Sequence, residues 1–74
     1  MTLVTNPGNN LTPREQQTLY LVACGFSNRE IAARLALSEQ TVKTHISNMI
    51  TKLREPNRVA LVTYGFESGI LRVG

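Results

Sequence analysis

Ser38-Glu39-Gln40-Thr41-Val42-Lys43-Thr44-His45-Ile46-Ser47-Asn48-Met49-Ile50-Thr51-Lys52-Leu53 is the stretch on which the reading of this chain turns. Val42, Ile46, Met49, Ile50 and Leu53 recur at helical spacing and form one narrow apolar stripe. At about 100° per residue, the opposite face carries Gln40, Thr44, Ser47 and Thr51, with Lys43 on one flank and Lys52 on the other. Amide, hydroxyl and ammonium groups on a helix that is greasy on its other side match the base edges and phosphates of a DNA major groove.

The segments around it are punctuated as further short helices. Thr12-Pro13-Arg14-Glu15 reads as a start, with Thr12 as N-cap, Pro13 in the first turn and Glu15 closing a capping box. That helix runs through Leu19, Val22 and Ala23 and stops at Gly25. Ser27-Asn28-Arg29-Glu30 repeats the start signal, and a second helix carries Ile31, Ala32 and Leu35 inward. Ala36-Leu37-Ser38 is a tight connection whose Ser38 caps the third helix, expected over about 39–53. Pro56 ends that helix at or before Glu55, and Asn57 caps a fourth. The fourth places Val59, Val62 and Phe66 on one side with Leu61 close by, and its pattern fades at Gly69. No strand is read anywhere.

Seventy-four residues make one domain near the lower size limit for a self-supporting core. The first ten contain Pro, Gly and three Asn and read as a flexible tail or linker remnant, leaving 11–71 to fold. The single Cys24 forms no internal disulfide and no metal site; it reads as a core or helix-end residue. No apolar run approaches the roughly 20 residues that span a bilayer, so the expectation is a soluble, cytoplasmic chain with no membrane partner. The net charge of +3 is unevenly placed. Arg29, Arg34, Lys43, Lys52 and Arg54 face only Glu30 and Glu39 within 27–54, while charges cancel on either side. A polyanion would meet that excess.

A short helix, a three-residue turn and a longer helix with a polar outer face make a helix-turn-helix, in which Ile31, Leu35, Leu37, Val42 and Ile46 pack the two helices and Ala32 is small where they cross. An ordinary helical bundle shares this spacing. Motifs in order along the chain go further: Leu11-Thr12-Pro13-Arg14-Glu15, Gly25-Phe26-Ser27-Asn28-Arg29-Glu30-Ile31-Ala32, Leu37-Ser38, Thr41-Val42-Lys43-Thr44-His45 and Lys52-Leu53. Together they resemble the LuxR-type, or GerE-like, helix-turn-helix domain that forms the output half of NarL/FixJ response regulators of two-component systems. The likeness covers about 11–70. It implies an all-α, four-helix domain whose third helix enters the major groove and whose fourth mediates dimerisation on pseudo-palindromic DNA.

The resemblance also implies roles. Lys43 stands at the family's principal base-contacting lysine, facing guanine O6 and N7 or a phosphate. Thr44 follows it at a base-touching position, where its methyl suits a thymine. Gln40 and Ser47 are the other base-facing positions; Ser47 replaces a lysine of some relatives, so fewer bases are read or water intervenes. Thr41, His45, Asn48 and Lys52 on the other flank, with Arg29 and Arg34 on the second helix, are assigned to phosphates. His45 has an equal claim to a half-buried packing role. Leu61, Tyr64, Gly65 and Ser68 on the fourth helix are the expected dimer interface. Three positions depart from the family pattern: Thr18 for an aliphatic residue, Arg54-Glu55-Pro56 for a Gly and an apolar residue, and Gly65 inside a helix.

The function expected is sequence-specific binding of double-stranded DNA by a homodimeric bacterial transcription regulator. The alternative is a protein–protein interaction module that engages RNA polymerase or another regulator. An enzyme is not expected: no nucleophile–base pairing, metal-ligand cluster or Gly-rich phosphate loop stands in the sequence, and no cofactor or small-molecule ligand is implied. Glu15 and Glu30 are capping and ion-pair residues in this reading, not catalytic acids.

Overall fold

Local capping chemistry sets the element boundaries. In the computed structural model, which describes residues 1–4 and 10–73, four helices follow one another: α1 Pro13–Ala23, α2 Asn28–Leu35, α3 Glu39–Leu53 and α4 Arg58–Glu67. The Thr12 hydroxyl accepts from the Glu15 amide at 3.1 Å while the Glu15 carboxylate accepts from the Thr12 amide at 2.9 Å. Ser27 and Glu30 form the same reciprocal pair at the start of α2. Ser38 caps α3 by accepting from the Thr41 amide, and the Asn57 carboxamide caps α4 by accepting from the Ala60 amide. Each cap satisfies a backbone donor that the first turn of a helix leaves open.

The helix ends are as specific. At the end of α1, Gly25 sits at φ +91°, and the amides of Gly25 and Phe26 return to the carbonyls of Val22 and Leu21, a Schellman closure. The ends of α2 and α3 use the same left-handed turn without glycine, at Ala36 (φ 55°) and Arg54 (φ 54°). Arg54 thus adopts the left-handed conformation that a glycine takes freely, and α3 ends at Leu53 as expected.

Val42, Ile46 and Met49 of α3 drive into a core completed by Leu19, Val22, Ile31, Ala32 and Leu61, with Ile50 and Leu53 packed at its margin. α3 packs on α1, α2 and α4, so the central helix is supported on three sides while one long face is left to solvent. Thr18 stands in this core fully buried, and its hydroxyl donates to the Arg14 carbonyl at 2.9 Å, which is how a polar residue occupies an aliphatic site.

Two features differ from the sequence reading. A two-stranded antiparallel sheet joins β1 Thr2–Leu3 to β2 Leu71–Arg72, with Thr2 opposite Arg72 and Leu3 opposite Leu71. The Val4 amide extends the pairing to the Ile70 carbonyl. Strands this short give no periodic signal, and their pairing spans the whole chain. Part of the stretch read as a tail therefore pairs with the C-terminal segment, while 5–9 lie outside the described residues. The face of α4 assigned to a dimer is also different: Leu61 and Gly65 are buried, whereas Val59 is 74% and Phe66 37% exposed.

Candidate nucleic-acid interface

The open face of α3 presents Gln40, Lys43, Thr44 and Ser47, all exposed, on the side away from the Val42–Ile46–Met49 stripe. Thr44 donates its hydroxyl to the Gln40 carbonyl one turn back, at 3.0 Å. Among the described residues Lys43 has no ion-pair partner, so its charge is available to an external acceptor. The four residues assigned to base edges are thus brought onto one accessible surface.

The residues assigned to phosphates divide into two groups. His45 and Asn48 line a shallow cleft of about 420 Å³ together with Thr12, Glu15, Thr51 and Lys52. This cleft lies between the start of α1 and the flank of α3, and His45 is half-buried at its edge. Thr41 shares a 2.8 Å hydroxyl–hydroxyl hydrogen bond with Ser38, so it is partly spent on the cap. On α2, Arg29 is exposed, and Arg34 lies 3.7 Å from the centroid of the Phe26 ring.

Lys52 does something the sequence reading did not anticipate. Its ammonium donates to the Glu15 carboxylate at 2.6 Å and to the Asn10 carbonyl at 3.1 Å. Glu15 is only 3% exposed. Burial alone would raise its pKa, but the Lys52 ammonium and the Thr12 donors outweigh burial and hold the carboxyl below its ordinary value. The charge of Lys52 is therefore committed to pinning the C-terminal half of α3 against the start of α1. Glu30, in the exposed capping box, is also lowered, chiefly by the Ser27 backbone donor.

Two of the four expected dimer residues, Leu61 and Gly65, are taken by the core. Leu61 has no exposed surface, and Gly65 is buried beneath the C-terminal segment, where a Cβ would stand 2.7 Å from Leu71 Cδ1 and 3.2 Å from Leu19 Cδ2. Both belong to the core of this chain. Tyr64 is half-buried, and Ser68 is exposed with its hydroxyl bonded to the Gly65 carbonyl. The accessible apolar surface of α4 is instead Val59 and Phe66, with Val62 half-buried beside them.

Comparison with known proteins decides what kind of helix-turn-helix this is. The family described as bacterial regulatory proteins, luxR family, matches residues 9–65. The chain belongs to the luxR family of bacterial regulatory proteins. A nitrate/nitrite response regulator protein homolog of Haemophilus influenzae is 48% identical over 62 residues, which are 84% of this chain and 30% of that protein. The response regulator protein VraR of Staphylococcus aureus is 42% identical over the same length, again 84% and 30%. The crystal structure of the response regulator ChrA of a heme-sensing two-component system superposes with a TM-score of 0.79 at 38% identity, covering 92% of this chain and 34% of that one. The chain thus spans about a third of the length of these relatives. The luxR-family assignment makes this a non-enzymatic, DNA-binding domain of transcription regulation. No helix among the described residues is long and apolar enough to cross a membrane.

Arg58 is the residue of this luxR-family domain that the sequence reading passed over. Its guanidinium donates to the Asn28 carboxamide and, at 2.9 Å, to the Phe26 carbonyl. A signal for it existed: a cation in the first turn of a helix opposes the helix dipole, so an Arg directly after the cap Asn57 needs a compensating partner.

Proposed function

We propose that this domain reads duplex DNA in a sequence-specific way by laying α3 in the major groove. In this reading Gln40, Lys43, Thr44 and Ser47 face base edges, while Arg29, Arg34, Thr41, His45 and Asn48 contact backbone phosphates. Lys52 acts through the fold, by holding α3 on α1. The observation that carries the reading is the exposed Gln40–Lys43–Thr44–Ser47 row on a helix whose opposite stripe is buried against three others. Such a helix is presented rigidly, which is what recognition at ångström precision needs. The outer face of α4, Val59 with Val62 and Phe66, is the surface for a second copy, giving a two-fold dimer on pseudo-palindromic sites. In this reading the domain works in the cytoplasm, beside its DNA partner.

The test is fluorescence anisotropy against a pool of random duplexes across a salt series, followed by selection of the tightest binders. Affinity is expected to fall with salt at a slope of about −0.9 per phosphate neutralised. Lys43→Met is expected to lower affinity for the selected site by about 1–3 kcal/mol without changing the melting temperature. Retained fold with no DNA binding at about 50 mM salt would overturn the groove reading, and would favour contact with RNA polymerase or another regulator through the exposed α4 face.

A further inference from the structure

The geometry points to Arg58 as the positioning residue that fixes the recognition unit relative to α4, and so sets the half-site spacing a dimer of this domain accepts. This rests on the dimeric DNA reading above. Arg58 is the first residue of α4, and Asn28 is the first residue of α2. One guanidinium nitrogen donates to the Asn28 carboxamide and the other to the Phe26 carbonyl, so a single planar fork grips both ends of the 26–28 segment that leads into α2. The Phe26 ring carries Arg34 of α2 across its face, at 3.7 Å. One link from α4 to the helix-turn-helix therefore runs through Arg58, the Phe26–Asn28 turn and Arg34, beside the direct packing of α4 on α3.

The packing of the rest of the molecule gives this link its weight. α4 lies on α1 and α3, and α2 lies on α3 and α1, so the start of α4 meets the start of α2 through the Arg58 fork. Side-chain packing resists separation of helices but is tolerant of small rotations, whereas a two-pronged charged hydrogen bond fixes direction as well as distance. In a two-fold dimer built on the outer face of α4, any rotation of α4 against the helix-turn-helix is applied twice, once in each protomer. The separation of the two recognition helices shifts accordingly, and DNA tolerates that separation only in steps of the base-pair repeat. Arg58 touches no DNA in this arrangement; it sets where the reading helices stand.

The experiment measures binding of the 74-residue chain and of Arg58→Lys and Asn28→Ala to duplexes carrying one selected half-site, or two at separations varied one base pair at a time. Circular dichroism of each variant reports its fold. The wild-type chain is expected to prefer one separation by about tenfold over its neighbours. Both variants are expected to keep single-half-site affinity within about twofold while their preference flattens to threefold or less, because a lysine retains the charge but not the fork. An unchanged spacing profile in either folded variant overturns the proposal. A wild-type chain that binds half-sites with no preferred separation overturns it too, and leaves the DNA reading standing. A wild-type chain that binds no duplex removes both.

Discussion

Glu15 shows how one side chain serves several elements at once. Its carboxylate closes the α1 capping box, accepts from Lys52 of α3 and is nearly excluded from water. A carboxyl held below its ordinary pKa in the folded state stabilises the fold above its unfolded pKa, and that contribution is lost as pH falls through the folded pKa. The domain is therefore expected to soften as pH falls through and below the usual carboxylate range, and to keep the full Glu15 contribution, independent of pH, above it. Lys52→Met removes the principal donor and leaves burial, which raises the pKa, opposed by the Thr12 donors alone. We expect a loss of about 1–2 kcal/mol at neutral pH, below the range for a fully buried pair because the Lys52 side chain is 39% exposed. The acid-unfolding midpoint should move to higher pH in the same variant. Denaturant melts at stepped pH read both effects; an unmoved acid midpoint would show that the Lys52 contact does not hold Glu15 ionised.

At the scale of elements, the four helices were legible because their signals are local. Thr12, Ser27, Ser38 and Asn57 each bond to amides within three residues, and the α3 stripe repeats within the helix itself. The exposed row Gln40, Lys43, Thr44 and Ser47 follows from the same periodicity, so the open face of α3 was readable too. Which side of α4 turns inward was not legible. Val59, Val62 and Phe66 share one side of the helix, but it is Leu61 and Gly65 that turn inward, with the C-terminal Leu71 filling the space above the glycine. A missing side chain has no hydrophobicity to read, and a contact with a two-residue strand has no period. The partners of Lys52 and Arg58 lie 37 and 30 residues away in sequence, beyond any local pattern. Gly65 supplies a direct check. Helix propensity favours Gly65→Ala by about 1 kcal/mol, yet the added Cβ meets Leu71 at 2.7 Å and Leu19 at 3.2 Å inside a closed core. Overpacking of this kind costs about 1–3 kcal/mol, so the variant should be net destabilised in equilibrium unfolding. A more stable variant would show that Leu71 yields without cost.

The whole molecule has two outward surfaces with different chemistry, and they are separable by mutation. The polar row of α3 is suited to base edges, whereas the Val59–Phe66 face of α4 offers apolar area that water wets at a cost. Two copies meeting through that face with a two-fold axis would bury it and place two recognition helices on one side of the DNA. Val59→Glu tests this with little risk to the fold. Val59 is 74% exposed and lies in the first turn of α4, where a carboxylate is favoured by the helix dipole, so stability should change by less than about 0.5 kcal/mol. In a symmetric interface the same substitution brings two like charges into a desolvated contact. Binding to a single half-site should be unchanged, while the gain in affinity from adding a second half-site should disappear, as read by anisotropy on paired and unpaired sites. If the folded variant keeps that gain, the second copy docks elsewhere, and the exposed face of α4 is left to a different protein partner.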